Sequence, residues 1–579
     1  MIAQVVFDLP LEGPFDYLIP DDMVSRVKIG ARVKVSFGPK NQIGYVVGIL
    51  TQSSIPKLKP IISLLDASVV FSDLDLSFAR DFSAYYACSL GEALATTLRN
   101  KEGQGPSVRR EHKPQYSLYR CQPDSYGIKT LEIINRYHGP RRFMVLVPDI
   151  FRVQLIAEHF KGMQEVKIGT RSSVFECDGR YDCVIMIDEE DASYKQEQMP
   201  MYDALQVLLK RSEMFGFDVA WAGISPSVEL MGLVNGEPAV RWAEEPTPNV
   251  PTAKLVDLTN YKYVPGLVSP PVKDALDAAL KVGKRAILVL NRRGSYRQTR
   301  CVDCGEVLKC KHCDSPLIYS KSAGKYLCRH CTYTALGDTV CPKCHKPSWR
   351  SQGIGVEQLQ TELKKYFPGA KILAFERAGH LKANEAKKPL ADFDILIATS
   401  AVLRFQGKWK AQVAAFIDFD SELNRLDMRS AFNAFSLALH ISSMAQGLVF
   451  IQTRNSGHYV LQSLSKGDIK SFYKEELKLR KEFGFSPFKH WIKMSWRGKV
   501  EKSTHQASQQ AYNALSQTAP SGCIVTPPLA DAVGRKRDQF RFNVMVQADQ
   551  VPQAVAFIKT TLAALKRPSR VILTMNVDP

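Results

Sequence analysis

Eight of the thirteen cysteines fall between Cys301 and Cys344, and all eight sit in Cys-x-x-Cys pairs: Cys301 with Cys304, Cys310 with Cys313, Cys328 with Cys331, and Cys341 with Cys344. Two such knuckles make one tetrahedral four-cysteine zinc site, so four knuckles make two. Free thiols in a core do not explain four pairs at identical spacing. The gaps between pairs are five, fourteen and nine residues. Joining the first two knuckles across five residues is tight for a ribbon. A nested arrangement instead joins Cys310, Cys313, Cys328 and Cys331 across fourteen, near the usual spacing. Cys301, Cys304, Cys341 and Cys344 then close the base, and a crossed pairing stays open. With four protein ligands at each site, two Zn2+ would be structural rather than catalytic. The block has few large apolar residues, so zinc must supply its folding energy, on the order of 10 kcal/mol per site.

Knuckles in place of a disulfide framework point to a reducing compartment. The N-terminus has no secretory pattern, and no apolar run approaches the roughly 18 residues that cross a bilayer. The expected location is cytoplasmic, at the nucleoid, with no membrane partner. The 579 residues are 45% hydrophobic and 23% charged, which excludes a disordered, collagen-like or coiled-coil chain. The formal net charge is +19. Residues 1–100 carry 9 basic and 10 acidic side chains, residues 292–350 carry 12 and 4, and residues 476–579 carry 16 and 7. A surplus held in two separate segments points to a polyanion, nucleic acid first. Lys309, Lys311, Lys321, Lys325 and Arg329 surround the knuckles, where they could meet phosphates or a protein partner.

These groups must be carried by folded elements. Arg32–Phe37 alternates with period two, and Gln42–Ile49 follows a Gly38-Pro39 turn, which predicts a small barrel-like β domain at the start. Residues 73–98 read as one helix, with Phe78, Phe82, Tyr85 and Tyr86 at core spacing. Residues 100–114 read as a linker. Continuous apolar runs follow: Phe143–Val147, Cys183–Ile187 before Asp188, and Val219–Ala222. After the proline-rich Glu245–Pro251 the pattern resumes at Ala286–Leu290, Lys371–Phe375, Asp394–Ala398, Val413–Ile417 and Leu448–Ile451. Such runs predict buried parallel strands in two α/β lobes, with ligands at the strand ends. The segment from about 476, ending in Val571–Met575, reads as α+β.

Phe15-Asp-Tyr-Leu18, Gly30-x-Arg-Val33, Phe37-Gly38, Gly169-Thr-Arg-Ser172, Asp188-Glu-Glu190 with Ser193-Tyr-Lys-Gln196, Leu290-Asn-Arg-Arg-Gly294, the eight cysteines, Gly353-Ile-Gly-Val-Glu357 and Asp578-Pro579 occur in this order. In content and order the chain resembles the PriA replication-restart helicase family (primosomal protein N′) along nearly all its length. The resemblance implies a multidomain architecture. Residues 1–100 would be a β-rich domain binding the 3′ end of a nascent strand. Residues 115–240 would be the first RecA-like helicase lobe, and 252–299 with 351–475 the second. A two-zinc ribbon insertion would occupy 300–350, and an α+β domain 476–579. It assigns 3′-end recognition to Phe15, Asp16, Tyr17, Gly38 and Lys59. An aromatic stacks a base, a carboxylate accepts from sugar or base, and glycine lets backbone come close. As partners it implies branched DNA at replication forks, the replicative helicase and its loader or other primosome proteins, and single-stranded-DNA-binding protein. As further cofactors it implies ATP and Mg2+.

The chain departs from the family's motor elements. The phosphate loop reads Pro123-Asp-Ser-Tyr-Gly-Ile-Lys-Thr130, with Pro123 and Ile128 at the two framing glycines. Proline lacks an N–H, and a β-branched residue disfavours positive φ. Lys129, Thr130, Asp188 and Glu189 are kept, while Asp191 stands where the family has His. The coupling motif reads Gly223-Ile-Ser225, the Gly-Thr-Gln segment reads Ala398-Thr-Ser400, and the arginine-bearing motif reads His440–Gln446 without arginine. The winged-helix segment that follows the N-terminal domain in the family is also missing. The expectation is a restart protein that binds forks and promotes primosome assembly, its motor fold kept as scaffold. Two other readings are an active ATP-dependent 3′→5′ helicase, and a zinc-dependent docking module with incidental DNA contact.

Overall fold

The structure is a computed structural model. It describes residues 1–579 except 100–104, 140, 235–239, 245–249, 262–265, 291–297, 305, 312–316, 321–323, 329–332, 337–339, 353–354, 376–391, 408, 426, 537 and 566–567. The expected linker and the proline-rich stretch therefore lie partly outside the described residues. So do the family segments at 290–294 and 353–357.

The N-terminal strands are β1 (Ile2–Phe7), β2 (Phe15–Leu18), β3 (Arg32–Phe37), β4 (Lys40–Leu50) and β5 (Ile61–Leu64). They form an antiparallel sheet in the order β2-β1-β4-β3-β5. Alternation turns Ala3, Val5, Val33, Val35 and Val46 into one core. Phe37 pairs with Lys40, so Gly38-Pro39 is a two-residue hairpin loop. Gly38 takes φ +59 at its first central position, which calls for glycine.

The single helix expected over 73–98 is two: α1 (Asp73–Tyr86) and α2 (Leu90–Leu98). Ser72 and Ser89 each begin a capping box, with Asp75 and Glu92, and Ala87 between the helices sits at φ 56. The second box starts a new helix where side-chain periodicity alone would continue the first. Phe78, Phe82 and Tyr86 reach the core of the next unit, as their spacing implies; the Phe82 ring centroid is 5.8 Å from that of Phe175.

That unit contains β6 (Tyr116–Arg120), α3 (Tyr126–Ile134), β7 (Phe143–Leu146), α4 (Ile150–Ala157), β8 (Val166–Gly169), β9 (Cys183–Ile187), β10 (Asp218–Gly223) and β11 (Val240–Glu244). Its six strands are parallel, in the order β11-β6-β10-β9-β7-β8. The strands β12 (Ala253–Asp257) and β13 (Ala286–Val289) open the second unit. The cysteine block then contributes β14 (Gln298–Cys301), β15 (Ile318–Ser320), β16 (Lys325–Leu327), β17 (Thr334–Leu336) and β18 (Trp349–Gln352). The second unit closes with β19 (Ile372–Phe375), β20 (Ile395–Ala398), β21 (Ala411–Phe416) and β22 (Ala445–Thr453), all parallel in the order β12-β22-β21-β13-β20-β19. The apolar runs thus form two parallel sheets. β6, β8, β11 and β12 had no expectation, because their sequences mix polar with apolar residues.

The last unit has β23 (His490–Gly498), β24 (Ile524–Val525), β25 (Leu529–Lys536), β26 (Gln539–Ala548) and β27 (Ile572–Val577). Helices Glu501–Thr518 and Val551–Ala563 cover one face, against Ile492, Met494, Trp496, Val544 and Val546. Lys195 Nζ donates to the Val577 carbonyl at 2.6 Å and ties β27 to the first lobe.

Candidate functional site

At the expected phosphate loop the chain leaves β6, and Pro123–Ser125 makes one 3-10 turn that runs directly into α3. Ser125 closes the turn on the Gln122 carbonyl through both its N–H (3.0 Å) and its hydroxyl (2.8 Å). A phosphate cradle needs several free N–H groups around a concavity; here the Ser125 N–H is spent on the turn itself and Pro123 lacks one. Lys129 Nζ pairs with Glu132, and Thr130 Oγ1, fully buried, donates to the Tyr126 carbonyl at 2.7 Å. Gly127 is kept for packing: a Cβ there would come within 2.4 Å of the His159 ring.

Asp188 ends β9 at φ 47 and is 1% exposed. Its carboxylate receives the Tyr126 hydroxyl on one oxygen and Arg152 Nη1 on the other. Arg152 lies in the first turn of α4, whose N-cap Asp149 accepts from the Phe151 and Arg152 N–H groups. Its other amino group crosses to the second lobe, where Nη2 donates to Gln406 Oε1 at 2.9 Å. Gln406 Nε2 in turn meets His440 Nδ1 at 2.9 Å, and His440 Nε2 meets Glu190 Oε1 at 2.9 Å. Ser225 donates to the same Glu190 oxygen at 2.9 Å and touches Ser436 Oγ at 2.8 Å. Glu189 accepts from the Ser227 N–H at 2.6 Å.

Three motor segments therefore converge: the acidic Asp188–Glu190, in which Asp188 and Glu189 are kept, and the two departed motifs represented by Ser225 and His440. They meet in a buried hydrogen-bond chain between the lobes. Asp191, at the family's His position, only caps the turn that follows, accepting from Ser193 N–H at 2.8 Å. Sequence reasoning missed Tyr126, Arg152, Gln406 and Ser436. Tyr126 stood in the loop segment in plain view; the others had no local signal.

Electrostatics follow from burial. Desolvation and the adjacent Glu190 push the Glu189 carboxyl well above its ordinary range. Desolvation raises Glu190 too, against the bond from His440. For His440, burial alone would lower the pKa, but the Glu190 bond and the Asp188 charge outweigh it and raise it. Ligand atoms of Asp188, Glu190 and His440 lie within 4.8 Å of one another, the spacing of a cation site. A guanidinium already neutralises Asp188, however, so the set does not fit Mg2+ with a triphosphate: the ion would have to displace Arg152 and the phosphates would find no cradle.

The outer cysteines do fit a metal. Cys301, Cys304, Cys341 and Cys344 place their sulfurs within 4.8 Å of one another, with Cys301 to Cys344 at 3.4 Å and Cys304 to Cys341 at 3.5 Å. The ribbon β14–β18, where Cys301 pairs with Trp349, holds the two ends of the block together. Burial opposes the thiolate of Cys341, but the Cys344 and Lys343 N–H groups favour it and lower its pKa to about 7. Of the inner four, Cys310 and Cys328 are buried with Leu308, Leu317 and Tyr326 beside the three-stranded sheet β15-β16-β17. Cys313 and Cys331 lie outside the described residues.

In the N-terminal sheet Phe15 is half-buried, packed on Phe7 and Phe37 with centroids 5.7 and 5.2 Å away. Asp16, on the opposite face of β2, accepts from Ser53 Oγ at 2.5 Å. Tyr17 is 5% exposed, and its hydroxyl donates to the Ser36 carbonyl at 3.1 Å, so its ring belongs to the core. Lys59 is exposed, and its carbonyl accepts from the Leu18 N–H at 3.0 Å. The structure thus gathers Phe15, Asp16, Lys59 and the Gly38 hairpin next to Phe37 around β2.

Residues 4–99 match the family model described as the 3′DNA-binding domain (3′BD) of PriA. The chain is 26% identical to replication restart protein PriA of Treponema pallidum over 661 residues, covering 100% of this chain and 99% of that protein. It is 23% identical to the Haemophilus influenzae protein of the same name, again over 100% and 99%. With the Bacillus subtilis protein it shares 25% identity over 71% of this chain and 53% of the relative. Among solved structures, the DUF1998 helicase MrfA bound to DNA and AMPPNP aligns at TM-score 0.33 and 8% identity, over 70% of this chain and 53% of MrfA. With the 3′-end domain matched at its start and the Treponema and Haemophilus proteins matched over its whole length, the chain is similar throughout to the PriA replication restart proteins.

Proposed function

We propose that this protein recognises abandoned or stalled replication forks and promotes primosome assembly and reloading of the replicative helicase, without helicase activity of its own. The observation that carries the second half is the Arg152–Asp188–Tyr126 contact, which puts a fixed cation and a phenol where a working motor needs Mg2+ and open space. The first half rests on the 3′-end domain and on the full-length relatives named for replication restart. Phe15, Asp16, the Gly38 turn and Lys59 are the surface that would receive a 3′ end, with Tyr17 supporting it from the core.

The division into units 1–100, 115–240, 252–299 with 351–475, 300–350 and 476–579 is part of the same reading, with the two central units taken as RecA-like lobes. So are two Zn2+ in the cysteine block, single-stranded-DNA-binding protein and the helicase loader as partners, and a nucleoid location. No helix among the described residues is long and apolar enough to cross a membrane. The deciding experiment measures phosphate release and fork binding on zinc-replete protein. The reading expects salt-dependent binding to a fork with a 3′ end at its junction, and no DNA-stimulated ATP hydrolysis. Fork-stimulated hydrolysis abolished by Lys129→Ala would overturn it in favour of an active helicase.

A further inference from the structure

The uncovered face of the C-terminal sheet carries charges that its own folding does not use. Because Ile492, Met494 and Trp496 turn toward the two helices, Lys493, Ser495 and Arg497 turn the other way. Strand register sets Lys493 beside Asn576, Ser495 between Asn543 and Thr574, and Arg497 between Arg541 and Ile572. Arg497 and Arg541 are direct cross-strand partners, and like charges so placed work against the sheet. Among the described residues, Lys493, Arg497 and Arg541 have no hydrogen-bonding or ion-pair partner. Arg497 Nε, Arg541 Nε and Asn576 Oδ1 are buried polar atoms left unpaired. The first lobe's residues Glu197–Met201, held nearby by the Lys195–Val577 bond, close this face into a cavity of about 700 Å³. Two carboxylates line it as well, the exposed Glu197 and the half-buried Asp531.

Buried, unpaired donors in a preformed cavity mark a missing acceptor. Two guanidinium forks side by side match the oxygens of a phosphate, which can accept from both. The volume lies in the range that holds a nucleotide-sized ligand. We propose that this cavity is a phosphate-binding site, with Arg497 and Arg541 as its anchors and Lys493 beside them, for a nucleotide phosphate. Its source is either a phosphodiester of a single DNA strand or a free nucleoside diphosphate. The site stands apart from the 3′-end surface of β2, and the proposal does not depend on it.

The test uses the full zinc-loaded chain and the double variant Arg497→Gln/Arg541→Gln. One arm measures anisotropy of a labelled oligothymidylate without a junction, and a second measures calorimetric titration with ADP. The double variant should bind one of the two at least tenfold more weakly, and for the oligonucleotide the log–log salt slope should fall by about 2. Its Tm should equal or exceed that of the parent, because the facing charges are gone. Loss in the first arm assigns a strand, and loss in the second a free nucleotide. Lys493→Gln, a single change at the same face, should weaken the same arm by a smaller factor and covers the case of a misfolded double variant. Unchanged affinity in both arms, or no binding of either probe by the parent, overturns the site. Preference for a fork with a 3′ end at its junction should persist in the double variant; its absence from the parent would count against the proposed function alone.

Discussion

Arg152 and Gln406 form one of the buried bonds that join the two α/β lobes, Nη2 to Oε1 at 2.9 Å, while the same guanidinium neutralises Asp188. This contact makes the interface between lobes a structural seam, and its consequences can be measured.

Removing the cation alone leaves Asp188 buried beside Glu189 and Glu190 with no positive partner on that side. Arg152→Met should therefore cost about 3–5 kcal/mol, the range for breaking a buried ion pair. Pairing it with Asp188→Leu should recover part of that loss. Urea unfolding followed by circular dichroism reads both. Equal destabilisation by the single and double changes would remove charge burial as the cause.

The His440–Glu190 contact makes the seam pH-sensitive. A histidine whose folded pKa is raised lends stability that is complete below its unfolded value of 6.5 and is lost as pH climbs through the folded value. Glu190, also raised, acts in the same direction, since charging it costs more in the folded protein than in the unfolded chain. The Tm should therefore fall as pH rises above the unfolded histidine value of 6.5, and His440→Gln should flatten that slope. His490, raised by its bond to Asp578 despite burial, contributes a parallel slope that remains in the variant.

The cysteine block should melt separately from the sheets. Cys341→Ser breaks the outer site and should reduce bound zinc from two ions per chain to one, by atomic emission. Hydrogen exchange should rise across β14 and β18 and stay protected in β9 and β21. The metal supplies on the order of 10 kcal/mol to such a segment, so no partial protection should survive chelation.

At the 3′-end surface, Asp16→Ala should lower the preference for a fork bearing a free 3′ hydroxyl by roughly tenfold, equivalent to about 1.4 kcal/mol. Binding to the same fork with a 3′ phosphate should barely change. Tyr17→Phe should leave DNA binding intact and lower Tm slightly, because its hydroxyl reaches only the Ser36 carbonyl. Anisotropy with the two fork substrates separates these outcomes.

Much of this molecule is readable from local pattern. The knuckles announce themselves by spacing, because each zinc pair is closed by cysteines separated by two residues. The parallel strands announce themselves by composition, because a strand covered on both faces is apolar throughout. Pro123 and Ile128 likewise declare a lost cradle, since backbone freedom is a property of the residue itself. What occupies the vacated place has no local signal. Arg152 is 36 residues from Asp188 and 254 from Gln406; Arg497 faces Arg541 through strand register alone. Only the packing of the lobes and the pairing of the strands brings these charges together, because Coulomb and hydrogen-bond energies depend on distance in space, not on separation along the chain.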